Sequence, residues 1–345
     1  MKIIIGNNLL VKIEKIIDLG QFSKIAILTD TNVAKHWLSV VKKSISQQAL
    51  EIIIKPGEKA KNIETVRKIW EKMFEAGLDR QSLLINLGGG VVADMGGFAA
   101  STFMRGIKFL NIPTTLLAQV DASVGGKVGI DFQGIKNGIG VFKDPVGVII
   151  DVTTLKTLPK QELISAFGEI IKHGIISGQK YFDLVTSKKP GEFSQSELIK
   201  IIKQSIKIKS NIVKKDPKEK NLRKVLNFGH TIGHAVESLS WKTSEPLLHG
   251  EAIAIGMVAE SNLASSNLRG CTAKLIKNAV INAGLPVNIK NIKTEDIMKS
   301  ILSDKKNFRG EILFSLPKKI GKVIPNIKVS QESIKSFLKT ICTID

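Results

Sequence analysis

Short apolar runs recur through the first 155 residues of this chain, each followed by a turn or by a segment of helical period. The runs are KIAILTD (24–30), ALEIIIKPGE (49–58), SLLINLGGG (82–90), FLNIPTT (109–115) and VGVIIDVTTL (146–155), and the opening MKIIIGNNLLVKI reads as a strand ahead of them. Residues 63–76 form an amphipathic helical pattern closed by Gly77. Strands that alternate with helices need crossover connections, which give a parallel sheet covered on both faces. Ligands of such sheets bind beyond the carboxyl ends of the strands. After Pro159 the period changes to 3.6. Helices are expected over 161–176, 196–213, 226–240, 250–267, 273–283 and 294–303, with EILFSLP (311–317) as a remaining strand signal. The expected division is therefore 1–160, an α/β domain, and 161–345, a helical one. The charged, proline-containing segment 214–221 (KKDPKEKN) is expected to be flexible.

Composition excludes several classes. There is no apolar run near twenty residues, so no transmembrane helix is expected. The start lacks the apolar stretch and small-residue cleavage site of a signal peptide. Two cysteines, Cys271 and Cys342, make neither a disulfide framework nor a thiolate cluster. These features point to the cytoplasm. The net charge of +20 comes from lysines dispersed along the chain, with a single Tyr and no basic–aromatic interleaving. A solvated surface explains it better than a nucleic-acid interface. Its field would steer an anionic, phosphorylated substrate inward. Neither a nucleic acid nor a membrane is expected as a partner.

Four motifs carry chemistry. GGGVVAD (88–94) follows a strand, opens a helix and fits G-x-G-x-x-G/A with Ala93 last, a pattern that brings backbone N–H groups up to a pyrophosphate. The acidic residue usual about twenty positions on is missing, since Lys108 and Asn111 stand there. PTTLLAQVDASVGGKVGID (113–131) sets Asp121 and Lys127 around the Gly125-Gly126 pair, which suits a closely approaching anion. In GEIIKHG (168–174), Glu169 and Lys172 share a helical face and, taken alone, read as a surface ion pair. In RKVLNFGHTIGHA (223–235), Arg223, Asn227, His230 and His234 are spaced four, three and four apart, as one polar stripe along a helix. Two histidines at i, i+4 can share a metal, His249 lies nearby in HGEA, and Glu169 offers a carboxylate. Two histidines with one carboxylate form a catalytic zinc shell with open positions.

Taken together, GGGVVADMGGFAAS, FMRGIKFLNIPTTLLAQVDASVGGKVGID, KNGIGVFKDP, GEIIKHG, RKVLNFGHTIGHAVE and HGEAIAIGM resemble the 3-dehydroquinate synthase family, in order from about Lys55 to Pro317. The resemblance implies a dehydroquinate synthase-like fold: a Rossmann-like α/β N-terminal domain with a parallel sheet, then an all-α C-terminal domain, acting as a homodimer. It implies an NAD- and divalent metal-dependent lyase and cyclase (zinc or cobalt) of the shikimate pathway. Its substrate would be 3-deoxy-D-arabino-heptulosonate 7-phosphate, a phosphorylated sugar acid, and its products 3-dehydroquinate and phosphate. The route would be transient NAD oxidation, β-elimination of phosphate, re-reduction, ring opening and aldol closure.

Carried over by motif, the metal ligands are Glu169, His230 and His249, and His234 becomes a catalytic residue. Asp121, Lys127, Lys172, Lys209, Arg223 and Asn227 bind substrate, Arg105 reaches the phosphate across the dimer, and Lys305 or Lys306 joins them. NAD contacts fall on Glu58, Lys61, Gly90, Val91, Val92, Asp94, Thr114, Thr115, Lys127, Lys136, Thr154, Leu155, Lys156 and Thr157, with Asp30 at the adenosine ribose. The region before Lys55 matches weakly, and Gly97 stands where alanine is usual. Related sugar-phosphate cyclases and glycerol dehydrogenase-type enzymes are the competing readings, and Asn227, His230 and His234 favour the synthase.

Overall fold

The fold was obtained as a computed structural model, in which residues 2–133, 135–265, 271–302 and 312–343 are described. The chain divides into two compact units, Met1–Pro159 with Gln195–Lys203, and Lys160–Ser194 with Gln204–Asp345.

In the first unit, β1 (Lys2–Gly6), β2 (Ile25–Asp30), β3 (Ala49–Ile54), β4 (Leu83–Gly88) and β5 (Lys108–Pro113) precede a separate antiparallel hairpin of β6 (Lys127–Phe132) and β7 (Ile135–Phe142), and β8 (Gly147–Asp151) follows. Six strands pair in parallel in the order β1-β8-β5-β4-β2-β3. Every residue of β2 and β4 is buried, as strands covered on both faces must be. Alternation divides their side chains between two cores. Ala26, Leu28, Leu84 and Phe109 pack with helices α4 (Ile63–Glu75) and α5 (Gly90–Thr102). Ile25, Ile27, Leu83 and Ile85 pack on the other side with residues of α1 (Ile13–Ile16) and α3 (Ser39–Lys43), while the single turn α2 (Thr31–Val33) follows β2 directly.

Local chemistry sets the helix ends. Asn62 Oδ1 accepts from the Thr65 amide at 3.0 Å and caps α4, which buries Val66, Ile69 and Met73. Gly77, at φ 63°, ends it in the left-handed region. Two glycines let α5 lie close on its neighbours: a Cβ on Gly96 would stand 1.9 Å from Asn86 Oδ1 of the sheet, and one on Gly97 would stand 2.4 Å from a γ-methyl of Val128 in the β6–β7 hairpin. That second contact explains glycine at 97, where the resemblance leads one to expect alanine.

The second unit comprises α6 (Lys160–Ser177), α7 (Gln179–Thr186), residues 204–215 of α8 (Gln195–Lys215), α9 (His230–Ser240), α10 (His249–Ser265), α11 (Cys271–Asn282) and α12 (Thr294–Leu302), with α13 (Gln331–Ile341) near the end. Short strands accompany the helices. β9 (Ile289–Lys290) pairs with β12 (Cys342–Thr343), and β10 (Leu313–Lys319), foreshadowed by the 311–317 signal, forms a hairpin with β11 (Lys322–Lys328). Ile232, Val236, Ile255, Ile297, Phe314 and Leu338 share this unit's core. None of the described helices is long and apolar enough to cross a membrane.

One expectation fails here. Arg223, Asn227, His230 and His234 do not lie on a single helix. Residues Leu222–Asn227 form a 3-10 turn, Gly229 takes φ 80°, and α9 begins only at His230. The left-handed glycine breaks the helical run, which period alone does not reveal.

Gly96→Ala should lower stability by about 2 kcal/mol or more through overpacking against Asn86. A denaturant titration checks it, and a wild-type midpoint would show that the α5–sheet contact yields easily.

Candidate active site

Three helices of the second unit meet backbone to backbone. A Cβ on Gly168 (α6) would lie 2.2 Å from the Gly250 carbonyl oxygen, and one on Gly250 (α10) would lie 1.7 Å from that of Ser165. The Gly250 amide donates to Ser165 Oγ at 3.1 Å across the same contact. Likewise α9 nests on α10, since a Cβ on Gly256 would stand 1.9 Å from the Gly229 carbonyl oxygen. Glu169 follows Gly168, His249 precedes Gly250, and His230 follows Gly229, so each close contact places one candidate ligand.

The three side chains converge. The Nε2 atoms of His230 and His249 each lie 3.4 Å from Glu169 Oε1. Three bonds of about 2.0–2.1 Å in a tetrahedral shell separate donor atoms by roughly 3.4 Å, so the spacing fits a divalent ion. The outer nitrogens are also committed. His230 Nδ1 lies 3.1 Å from the Phe228 carbonyl oxygen, which can only accept, so Nδ1 carries the proton and Nε2 is the ligand nitrogen. His249 Nδ1 faces the buried Glu237 carboxylate at 3.3 Å. His234, Glu237 and His249 also lie close enough to form a ligand set. Glu237 sits on the outer nitrogen of His249, however, which suits orientation of a ligand better than ligation.

The electrostatics agree. Burial, then the positive charge of Lys172, drives the His230 pKa well below its ordinary value, leaving the neutral imidazole a metal needs. For His249, loss of water favours the neutral form, but the hydrogen bonds to Glu169 and Glu237 outweigh it and raise the pKa to about 9. Those carboxylates create a place for positive charge. Lys172 pairs with Glu169 on α6, and both are almost wholly buried. The expected surface ion pair is thus an interior one, where a lone charge would be costly.

His234 lies one turn along α9, its ring centroid 4.9 Å from that of His230. Lys209 is buried on α8. In the segment expected to be flexible, the Asp216 carboxylate accepts from the amides of Lys220, Asn221 and Arg223 at 2.7–3.0 Å. Arg223 is buried and donates through Nη1 to the Pro217 carbonyl oxygen, and Asn227 Nδ2 donates to Glu219 Oε1. Lys305 and Lys306 lie outside the described residues.

In the first unit, β4 ends at Gly88, and α5 starts at Gly90 with no side-chain cap. A Cβ on Gly89 would stand 3.0 Å from Thr115, and the buried Thr114 Oγ1 has no hydrogen-bond partner among the described residues. An open helix N-terminus beside an unsatisfied hydroxyl suits a bound phosphate. Val91 and Val92 follow in the first turn of α5. Lys61 is buried, donates to Asp94 and Asn137 at 2.6 Å each, and lies 3.9 Å from Glu58. Burial opposes its charge, but Asp94, Glu58 and Asp131 outweigh it and raise its pKa.

Asp94, Asn111, Ser123, Lys127 and Lys143 line one pocket. Asp121 lies in the turn Ala118–Ala122 before it, and Lys136 lies on β7. Thr154, Leu155, Lys156 and Thr157 form the 3-10 turn after β8. There the Thr154 hydroxyl already bonds Asp151 and Gln119, and that of Thr157 accepts from Trp37 Nε1. Asp30 Oδ1 caps α2. Arg105 is exposed on a turn where it and Met104 have φ 72° and 47°. Such strain in non-glycine residues clusters at functional sites.

Comparison with known proteins decides the family. The models for the 3-dehydroquinate synthase N-terminal and C-terminal domains match residues 51–165 and 166–307. The chain belongs to the 3-dehydroquinate synthase family. The 3-dehydroquinate synthase of Thermoanaerobacter sp. (strain X514) is 43% identical over 325 residues, covering 92% of this chain and 90% of the relative. That of Parabacteroides distasonis is 40% identical over 341 residues, covering 98% and 96%. Among solved structures, a 2-deoxy-scyllo-inosose synthase complexed with carbaglucose-6-phosphate, NAD+ and Co2+ superposes with TM-score 0.89 at 23% identity, over 98% of this chain and 96% of that one. A 2-epi-5-epi-valiolone synthase from Streptomyces hygroscopicus subsp. jinggangensis 5008, with NAD+ and Zn2+ bound, gives 0.89 at 24%, over 99% and 96%. These two establish the shared fold.

Within the family frame, reading by motif missed Glu237, Asp216, Glu219, Asn137 and Glu260. Of these, Glu260 had a visible signal: a lone acid in the apolar run AIAIGMVAE.

Gly250→Ala should cost about 3 kcal/mol and weaken binding of a divalent metal, because the new methyl forces α10 away from α6. Gly191→Ala, which meets open space, is the control. Unchanged metal titrations of Gly250→Ala by calorimetry would mean that this contact does not set the ligand spacing.

Proposed function

We propose that this enzyme converts 3-deoxy-D-arabino-heptulosonate 7-phosphate to 3-dehydroquinate and phosphate, the reaction of its family. The observation that carries the reading is the Glu169–His230–His249 cluster, whose carboxylate is buried, flanked by Lys172 and His234. Glu169, His230 and His249 would hold one divalent ion, zinc or cobalt, which when bound polarises substrate hydroxyls and lowers their pKa. Gly90, Val91, Val92, Thr114, Thr115, Lys61, Asp94, Glu58, Lys136 and the 154–157 turn would hold NAD, a temporary hydride acceptor restored in each turnover. Lys127 is common to the cofactor and substrate sets.

The remaining roles belong to the chain's own groups. His234 moves a proton, its ring lying beside the ligand His230. Lys172 keeps a positive charge fixed at Glu169 and toward the substrate's oxygens. Arg223 and Asn227 are held by Pro217 and Glu219, so they present their donors to substrate with little further ordering. Lys209, Asp121 and Lys127 complete the substrate set, with Lys305 or Lys306. Arg105, displayed on its strained turn, neutralises the phosphate across a homodimer. The dimer is supported by Phe132, Ile135, Ile139, Val141 and Phe142 of the β6–β7 hairpin, apolar side chains 38–66% exposed that a second copy would cover. Cytoplasmic residence belongs to the same proposal.

With the heptulosonate phosphate, phosphate release should require the metal and stop on chelation, without accumulation of reduced nicotinamide. Stoichiometric NADH would indicate a polyol dehydrogenase, and turnover of only glucose 6-phosphate or sedoheptulose 7-phosphate a different cyclase. His230→Ala should lose metal and activity while staying folded, whereas His234→Ala should keep metal and turn over at least about a hundredfold more slowly. Equal metal loss in both variants would sink this division of roles. Sedimentation should show a dimer, and a monomer would remove the trans role of Arg105.

A further inference from the structure

Helix α9 starts without a side-chain cap of its own, because its N-cap residue is Gly229 in the left-handed region. A carboxylate from α10 takes that place. Glu260 is fully buried, its Oε2 accepts from the Gly229 amide at 2.6 Å, and its Oε1 accepts from the Ile232 amide at 3.1 Å. The first turn of a helix leaves N–H groups unsatisfied and carries partial positive charge, so an anion bridging two of them holds that turn firmly. The bridged residues flank His230. The other imidazole, His249, begins α10 itself. Glu260 therefore ties the helix that carries one imidazole to the helix that carries the other. Side chains cannot do this at Gly229, where a Cβ would meet Met257 Cγ at 2.6 Å and the Ile253 carbonyl oxygen at 2.9 Å.

We propose that Glu260 is a positioning residue for the metal centre: its carboxylate clamps the first turn of α9 onto α10 and so fixes the separation of His230 from His249. The proposal rests on the Glu169–His230–His249 ligand set. Both carboxylate oxygens are needed, because each accepts from a different amide. Glu260→Gln keeps the shape but turns an NH2 group toward one of those N–H donors. Glu260→Asp keeps two acceptors on a shorter stem.

The test uses the purified full chain and zinc alone, in competition with a chromophoric chelator at 25 °C, alongside thermal melts. Glu260→Gln should bind zinc about 10–100-fold more weakly while remaining folded, a loss of the size seen when a group supporting a metal ligand is removed. Saturating zinc should restore most of its kcat, and Glu260→Asp should recover part of the affinity. A merely structural role would lower the melting temperature and leave zinc affinity alone. If the wild type binds zinc and His230→Ala loses it, wild-type affinity in Glu260→Gln overturns this proposal and spares the ligand set. Failure of both Glu260 variants to fold also overturns it, since the residue then serves the core. A wild-type chain that takes up no zinc overturns the ligand set and the clamp together.

Discussion

The candidate metal centre depends on how closely three helices of the second unit approach. Metal ligands must agree in position to a few tenths of an ångström, and helices separated by ordinary side chains keep their axes 8–10 Å apart with considerable scatter. Here glycines remove the side chains from the contacts, so backbone meets backbone between Gly168 and Gly250 and between Gly229 and Gly256. Each candidate ligand is the chain neighbour of one of these glycines. A rigid contact one residue away leaves little room for a ligand to drift. The same principle serves the first unit, where Gly96 seats α5 on the sheet and Gly97 seats it against the β6–β7 hairpin, with its N-terminus at the end of β4.

Charge then determines what such a scaffold can hold. Glu169, Lys172, Glu237 and Glu260 are all nearly inaccessible in one small unit. Buried charges persist only when paired or hydrogen-bonded, and here each is engaged: Glu169 by Lys172 and two imidazoles, Glu237 by His249, and Glu260 by two backbone amides. The two candidate imidazole ligands are pushed in opposite directions, His230 toward the neutral form by burial and His249 toward the charged form by its carboxylates. The asymmetry has a simple origin. Both face Glu169, but His230 has Lys172 nearby and only a carbonyl oxygen behind it, whereas His249 has a second acid, Glu237.

Much of the architecture was legible in the chain. Fully apolar runs such as 25–28 and 83–85, short and bounded by turn signals, fit strands buried on both faces, and their alternation with helical periods calls for parallel connections. The helices were legible for the same reason. The β6–β7 hairpin was not, because its glycines interrupt the apolar alternation and resemble those of an anion-binding loop. Nor was the break before α9. A 4-3-4 spacing fits a continuous helix, and one left-handed glycine suffices to end it.

The site divides along the same line. Sequence by itself determined which groups are available: three histidines and a carboxylate in three short motifs, glycines at the end of a strand, and lysines near both. Motif order pointed to the family that the comparisons then showed. Tertiary structure alone decided that the Glu169–Lys172 pair is interior, that Glu237 stands behind His249, and that Glu260 grips the start of α9 from a different helix. Those facts depend on contacts between segments 12 to 31 residues apart or, for Lys172, on the packing that surrounds it. Local spacing records which side chains share a face, but whether that face meets water or another helix is fixed only when the whole chain has packed.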